Sequence, residues 1–397
     1  MPADHSHPGL LTPSEIDEAA FLEGIVEWVR METPSDRPDL IERFFDHVQA
    51  SFEGLPVSIR RLPPRGDFGG HMVLTYAPGG SNLPPVLVMG HIDTVWAAGT
   101  LERRPIRREG DRVYGPGIYD MKAGSYIATE TLRQLAMAGH VPPRPIVVLL
   151  NSDEEIGSDS SRSLIEELAS KAAFVLVPEP AVGPRIAAVT SRKGWGRFWI
   201  RAHGRSAHAG GNLAEGRSAI REIARQIIDI EGLNGSVPEA SFNVGTIRGG
   251  TRGNVVPAEA EIEVDMRMTD AATGERMMRH ILSLTPHDPD VRLAITGGIN
   301  RPPFLRSPAV GQLYESTRTL AGELGFELPE TARGGVSDGN FAAALGRPVL
   351  DGLGCGGHGA HAEDEHILVS TIASRAALIH AMLVSADFQS NALGRRN

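Results

Sequence analysis

Cysteine is nearly missing from this chain. Cys355 stands alone, so no disulfide can close within the chain, and an oxidising compartment is neither required nor excluded. Its setting among glycines makes it a small loop residue rather than a nucleophile. Excess positive charge is missing too. There are 39 Lys and Arg against 49 Asp and Glu, a net −10, which removes any bulk attraction to nucleic acid or an anionic membrane. No apolar run approaches the ~18 residues that cross a bilayer. Met1 to Leu11 carries His, Asp and Pro but no apolar stretch, so no signal peptide is read and a cytoplasmic location is expected. The chain has no internal repeat, no low-complexity linker and no G-x-S-x-G nucleophile elbow. Gly352, Gly354 and Gly357 match a dinucleotide-binding spacing. No helical periodicity follows them and histidines invade the run, so a nicotinamide-dependent oxidoreductase is set aside.

What is present points to a globular α/β protein. A length of 397 residues exceeds one ordinary core and implies two domains or an insertion. Residues 14–30 alternate apolar and acidic groups at helical spacing, with Ser14 as N-cap, and a second helix is expected over 38–52. Met72–Tyr76, Val86–Met89, Ile146–Leu150 and Phe174–Val177 read as short buried strands, with helices near 122–138 and 160–171 between the last three. Strands alternating with helices predict a mostly parallel sheet flanked by helices. Near Ser191 the style changes. Alternating strands at 195–202, 241–246 and 258–268, helices at 216–231 and 270–284, and a strand at 290–296 give the β-α-β-β-α-β order of a ferredoxin-like α+β insert. After Pro302 come a helix at 307–324, an apolar run Phe341–Leu345 read in parallel-sheet style, apolar Pro348–Leu350, and a last helix at 368–386. The expected domains are 1–190, the insert 191–302, and 303–397.

Three apolar strands run directly into acids or imidazoles. PVLVMG leads to His91 and Asp93, PIVVLLNSD to Glu154 and Glu155, and FVLVP to Glu179. Ligands in open α/β sheets bind beyond the carboxyl ends of strands. Charged groups after buried strands are costly unless paired or bound to a cation. His91 and Asp93, two apart, share one side of an extended segment, so the acid can orient the ring. Asp120, among the glycines of GPGIYDMKAG, could cap a helix or bridge two cations. Adjacent Glu154 and Glu155 suggest that one binds metal while the other takes a proton from water. His358 and His361, in GGHGAHAEDE, are both candidate ligands.

These segments resemble the M20 family of zinc metallopeptidases, in its glutamate carboxypeptidase (carboxypeptidase G2-like) branch. MGHIDTV, GPGIYDMKAG, NSDEEIGS, VPEP, GRSAHAG, GNVVPAEAEIEVDMR, GGVSDGNF and GAHAEDE occur in the family's order, from about residue 15 to 385. The resemblance implies that His91 and Glu179 bind one zinc, Glu155 and His361 the other, and that Asp120 bridges them. It implies Asp93 as support for His91, Glu154 as general base, and a cis peptide at Asp120–Met121. The His-x-x-x-Glu pattern of His361 and Glu365 selects His361 over His358.

The insert resembles the family's lid and dimerisation domain. In relatives the residue matching His208 reaches the partner subunit's active site and polarises the scissile carbonyl, so a homodimer through the insert is implied. Asn254, Arg267 and Arg301 match positions near the substrate. Arg267 could instead form an ion pair within its alternating strand, and Arg301 matches by local pattern only. Arg suits a terminal carboxylate because its planar fork gives two parallel hydrogen bonds. The expected reaction is hydrolysis of an amide in a peptide or N-acyl amino acid, releasing a C-terminal amino acid. An aminoacylase, deacylase or dipeptidase is the alternative, and an inactive metal-binding scaffold the remote one. Two Zn²⁺ per subunit are expected; the ligand set also accepts Co²⁺ or Mn²⁺. Neither nucleic acid nor membrane is an expected partner.

Overall fold

The structure, a computed structural model, describes residues 10–394. Most of the amino-terminal stretch inspected for a signal peptide therefore lies outside the described residues. The chain divides into two compact units. One comprises residues up to 191, 306–332 and 337 onward; the other comprises residues 192–305 and 333–336. The short return to the second unit is held by backbone and side-chain bonds: Lys193 N donates to Arg333 O at 3.0 Å and Arg192 Nη1 to Gly335 O at 3.2 Å.

The first unit is built on a six-stranded sheet in the order Ser58–Leu62, His71–Tyr76, Ile146–Asn151, Val86–His91, Phe174–Leu176, Val349–Leu350. Ser58–Leu62 pairs antiparallel with His71–Tyr76, which pairs antiparallel with Ile146–Asn151, and the remaining three pairs are parallel. Val86–His91 and Ile146–Asn151 are buried along their whole length, which is why they read as unbroken apolar runs rather than alternating ones. His91 pairs in parallel register with Asn151, so the two strands deliver their following loops to the same sheet end. The helix Ala123–Met137 packs on this sheet, and Glu18–Arg30 and Ile372–Val384 pack against that helix, in one core that includes Phe21, Ile25, Trp28, Ile127, Leu132, Leu378 and Met382.

The second unit is a four-stranded antiparallel sheet ordered Ala240–Gly249, Glu259–Met268, Gly194–His203, Arg292–Arg301, with helices Ala219–Glu231 and Ala271–Leu282. This is the split β-α-β arrangement that the element order implied. Its two central strands, Gly194–His203 and Glu259–Met268, alternate: Phe198, Ile200, Val264 and Met266 point into a core with Ile223 and Ile281.

Several local expectations are corrected. The first helix is capped by Asp17, whose Oδ1 accepts from Ala20 N at 3.0 Å, not by Ser14; Pro13–Glu15 is a separate 3₁₀ turn. The segment expected as a strand at Phe341–Leu345 lies mostly in the helix Gly339–Ala344, because its alanines favour helix and only Phe341 favours a strand. The last helix ends at Val384, and Ser385 caps a further one, Ala386–Ala392, by accepting from Phe388 N. Among the described residues no single helix is long and apolar enough to cross a membrane.

Candidate metal centre

His91 is the last residue of its strand, and its side chain is only 2% exposed. Its Nδ1 lies 3.0 Å from the backbone oxygen of Asp93. A carbonyl can only accept, so Nδ1 carries the proton and Nε2 presents a lone pair. That Nε2 is buried and makes no hydrogen bond, yet it lies 3.3 Å from Asp120 Oδ1 and 3.7 Å from Glu179 Oε1. A buried imidazole nitrogen aimed at two carboxylates without bonding to either is the arrangement a cation would complete.

Asp120 does not cap the helix that follows. That helix starts at Ala123, and Asp120 sits before it in extended backbone (φ −115°, ψ 97°), joined to Met121 by a cis peptide bond. Its Oδ2 reaches the other way, to His361 Nε2 at 3.3 Å. Glu155 Oε2 stands 3.0 Å from the same nitrogen. Two groups able to hold a metal therefore share Asp120: His91, Asp120 and Glu179, and Asp120, Glu155 and His361. The glycines permit the close approach that the sequence suggested. A Cβ on Gly124 would sit 1.7 Å from the carbonyl oxygen of Pro178, the residue before Glu179.

The charge balance fits a cation. Burial would push the His91 imidazole down, but Asp120 and Asp93 outweigh it and hold the ring well above its usual value. Asp120 and Glu155 raise His361 to about 11. Burial opposes ionisation of Asp120 as well, yet the two imidazoles keep its carboxyl below the usual range. Glu155 moves up, through burial and the Asp120 anion, despite His361. The acids around both rings thus make a negatively charged site that a cation would neutralise.

Asp93 contributes in a way the sequence did not show. Its backbone oxygen, not its carboxylate, bonds His91, with the carboxylate 3.4 Å from Nδ1. The carboxylate instead accepts from Ser35 Oγ at 2.7 Å and from the backbone N–H groups of Glu154 and Glu155, both at 3.2 Å. It therefore sets the backbone of the half-buried Glu154 beside the centre. His358 belongs to neither metal-holding group among the described residues; its side chain is 78% exposed, 3.8 Å from Asp364.

Glu365 has a role that the sequence reading missed. Its buried carboxylate accepts from Gly117 N (2.8 Å), Tyr119 N (3.0 Å), Asp120 N (3.1 Å) and Trp96 Nε1 (2.8 Å). Burial outweighs these donors and lifts its carboxyl to about 7. Only its spacing after His361 signalled it, because four donors drawn from two distant segments leave no local pattern.

The remaining candidates lie in the second unit. His208 is exposed, and its Nδ1 accepts from Gly210 N and Gly211 N, each at 3.1 Å, which leaves the proton on Nε2. Exposed Asn254 is tied beside it, its backbone oxygen accepting from Ala209 N at 3.0 Å. Arg267 closes its fork on Asp265 with two 2.8 Å bonds, the ion pair that its alternating strand allowed. Arg301 is buried at its strand's end, with Nη1 donating to Asn300 Oδ1 at 3.0 Å.

Residues 87–385 match the family described as Peptidase family M20/M25/M40. Carboxypeptidase G2 of Pseudomonas sp. (strain RS-16) is 30% identical over 368 residues, covering 90% of this chain and 87% of its own. A succinyl-diaminopimelate desuccinylase of Methylococcus capsulatus is 29% identical over 351 residues, covering 82% and 91%. The crystal structure of an M20 family metallo-carboxypeptidase from Sulfolobus solfataricus superposes with a TM-score of 0.72 at 16% identity, over 94% of this chain and 99% of that one.

Proposed function

The chain belongs to peptidase family M20/M25/M40 and is a hydrolase dependent on divalent metal, and from that premise we propose that it cleaves an amide bond to release a C-terminal amino acid. The observation that carries this reading is the pair of His–carboxylate groups sharing Asp120, with Glu154 held next to them by Asp93. Two zinc ions are the proposed cofactors, one at His91, Asp120 and Glu179 and the other at Asp120, Glu155 and His361. Nitrogen and oxygen donors without thiolate suit Zn²⁺ and also accept Co²⁺ or Mn²⁺. Bound divalent ions supply Lewis acidity, making water a better nucleophile near neutral pH and polarising the amide carbonyl.

The chain's own groups do the rest. Glu154 takes a proton from the attacking water as its oxygen bonds to the carbonyl carbon. It then passes that proton to the amine nitrogen as the C–N bond breaks, leaving a carboxylic acid, which ionises, and a free amine. His208, with its proton on Nε2, donates to the developing oxyanion; one such donor is typically worth about 3 kcal/mol. This role includes a homodimer through the second unit. Asn254 and Arg301 hold the substrate's terminal carboxylate; Arg267, closed on Asp265, is left out of this role. The substrate class is a peptide or N-acyl amino acid, with a glutamate-type carboxypeptidase as the lead. Similarity to the desuccinylase supports an N-acyl diacid substrate as the second reading.

The test pairs Glu154→Gln with a panel of N-acyl amino acids that differ only in the C-terminal residue, assayed with zinc restored. The variant is expected to keep its metal and to lose turnover by ~10²–10⁴-fold, the usual span of general acid–base assistance. Substantial residual turnover would sink the base assignment. A wild-type protein inert on the whole panel with metal bound would sink the substrate class.

A further inference from the structure

The motif GGVSDGNF has no place in the chemistry above, yet it holds a buried carboxylate. The chain leaves the second unit after Val336 and re-enters the first at Ser337. Asp338, 4% exposed, follows at once. Its Oδ1 accepts from Ser158 Oγ at 2.6 Å and its Oδ2 from Asn151 Nδ2 at 2.7 Å. Asn151 ends the strand before the acids, and Ser158 closes the turn after them. One carboxylate, far away in sequence, thus grips both ends of the turn that carries Asp153, Glu154 and Glu155.

That turn needs holding. Three consecutive acids repel one another. Its exit is conformationally costly, since Ser158 sits at φ 58°, the left-handed region that a residue with a Cβ seldom occupies. Asp93 secures the middle through the Glu154 and Glu155 N–H groups. Asp338 secures the two ends, and its own segment is fixed in turn. Ser337 Oγ donates to Asp351 Oδ2 at 2.6 Å, and Ser337 N donates to Asn340 Oδ1 at 3.0 Å.

We propose that Asp338 is a positioning residue for the hydrolysis: by pinning Asn151 and Ser158 it fixes where Glu154 meets water and where Glu155 meets metal, without touching substrate itself. The proposal rests on the reading of Glu154 as base and Glu155 as ligand. It predicts an uneven effect, because the turn carries a ligand of only one metal-holding group.

The experiment titrates metal-free full-length protein with Zn²⁺ and with Co²⁺ against a competing chelator, beside kcat and KM on the best substrate of the panel. Asp338→Asn, which keeps the shape, is expected to weaken one of the two ions by about 10–100-fold, the range for partners that orient ligands, and to spare the other. Its kcat should fall by a similar factor while KM stays within about threefold. The exchange Asn151→Asp with Asp338→Asn restores the 151–338 bond with donor and acceptor reversed, and it is expected to recover at least ~10-fold of the lost affinity. Ser337→Ala breaks the neighbouring bond to Asp351 and should lower thermal stability without moving either metal. Unchanged affinity for both ions in Asp338→Asn would overturn the proposal, as would equal weakening in Ser337→Ala. If Asp338→Asn does not fold, a folded exchange variant with full affinity supports the proposal and one lacking it overturns it. Metal binding is read without turnover, so a Glu154→Gln protein that stays active would remove the base assignment and leave the test of Asp338 standing.

Discussion

His91 and Glu179 face Asp120 from strand ends inside the core, with side chains 2% and 9% exposed. His361 meets the same aspartate from the loop between the strands Gly357–His358 and His366–Leu368, at φ 64° and with its side chain 51% exposed. The donors are alike in the two halves: one imidazole, one glutamate and the shared Asp120. The support differs. A strand end is fixed by its neighbours in the sheet, whereas a hairpin loop in left-handed backbone depends on the bonds around it. One half is therefore enclosed throughout, whereas the other is enclosed at Glu155, 6% exposed, and open to solvent at His361.

Four measurements test this contrast. The largest effect is expected where the halves meet. Asp120→Ala should remove both ions, lowering metal affinity by at least ~10³-fold, beyond the range typical of outer partners, and turnover should drop to background. Retention of either ion would show that the halves do not share this residue. Next, a chelator should strip the ion beside His361 first, with ~10-fold or more between the two release rates, since an exposed ligand opens to solvent sooner. His361→Ala should then leave one slowly released ion, and His91→Ala one rapidly released ion. Equal rates would erase the distinction.

A separate effect is expected from pH. His361, raised to about 11 by Asp120 and Glu155, holds a proton at neutral pH when no cation is bound. A cation must displace that proton, so zinc affinity should rise with pH between 6 and 8, by ~10-fold per unit for the proton released. A flat profile in competition titrations would contradict the assigned charge balance. The smallest effect is expected from His358→Ala, within about twofold in metal content and kcat, since this exposed ring lies outside both groups. Loss of an ion in that variant would mean that the wrong histidine had been placed in the open half.

The sheet and its site-bearing ends were legible because buried strands are apolar throughout and stop abruptly at His91, at the acids after Asn151, and before Glu179. The central strands of the second unit were legible for a different reason: one face is buried and the other is not, so apolar and polar residues alternate. Phe341–Leu345 was not, because an apolar run too short to show a period fits either a helix or a strand. Arg267 remained ambiguous until the structure closed it on Asp265. His361 was separable from His358 only through family likeness; nothing in GGHGAHAEDE shows which ring turns inward.

Sequence alone determined which elements form and which residues emerge at the ends of the strands, since periodicity and burial are local properties of a segment. It also supplied the chemical kinds of donor: two imidazoles, and carboxylates without thiolate. Tertiary structure alone decided that Asp120 faces two histidines instead of capping a helix, that Asp93 supports His91 through its backbone oxygen, and that Glu365 and Asp338 hold the segments carrying Asp120 and Glu154. Those are bonds between groups up to 269 residues apart, as from Trp96 to Glu365, and no local pattern encodes which distant carboxylate will meet which N–H. Folding chooses those partners because a buried donor or acceptor without one costs roughly 1–3 kcal/mol.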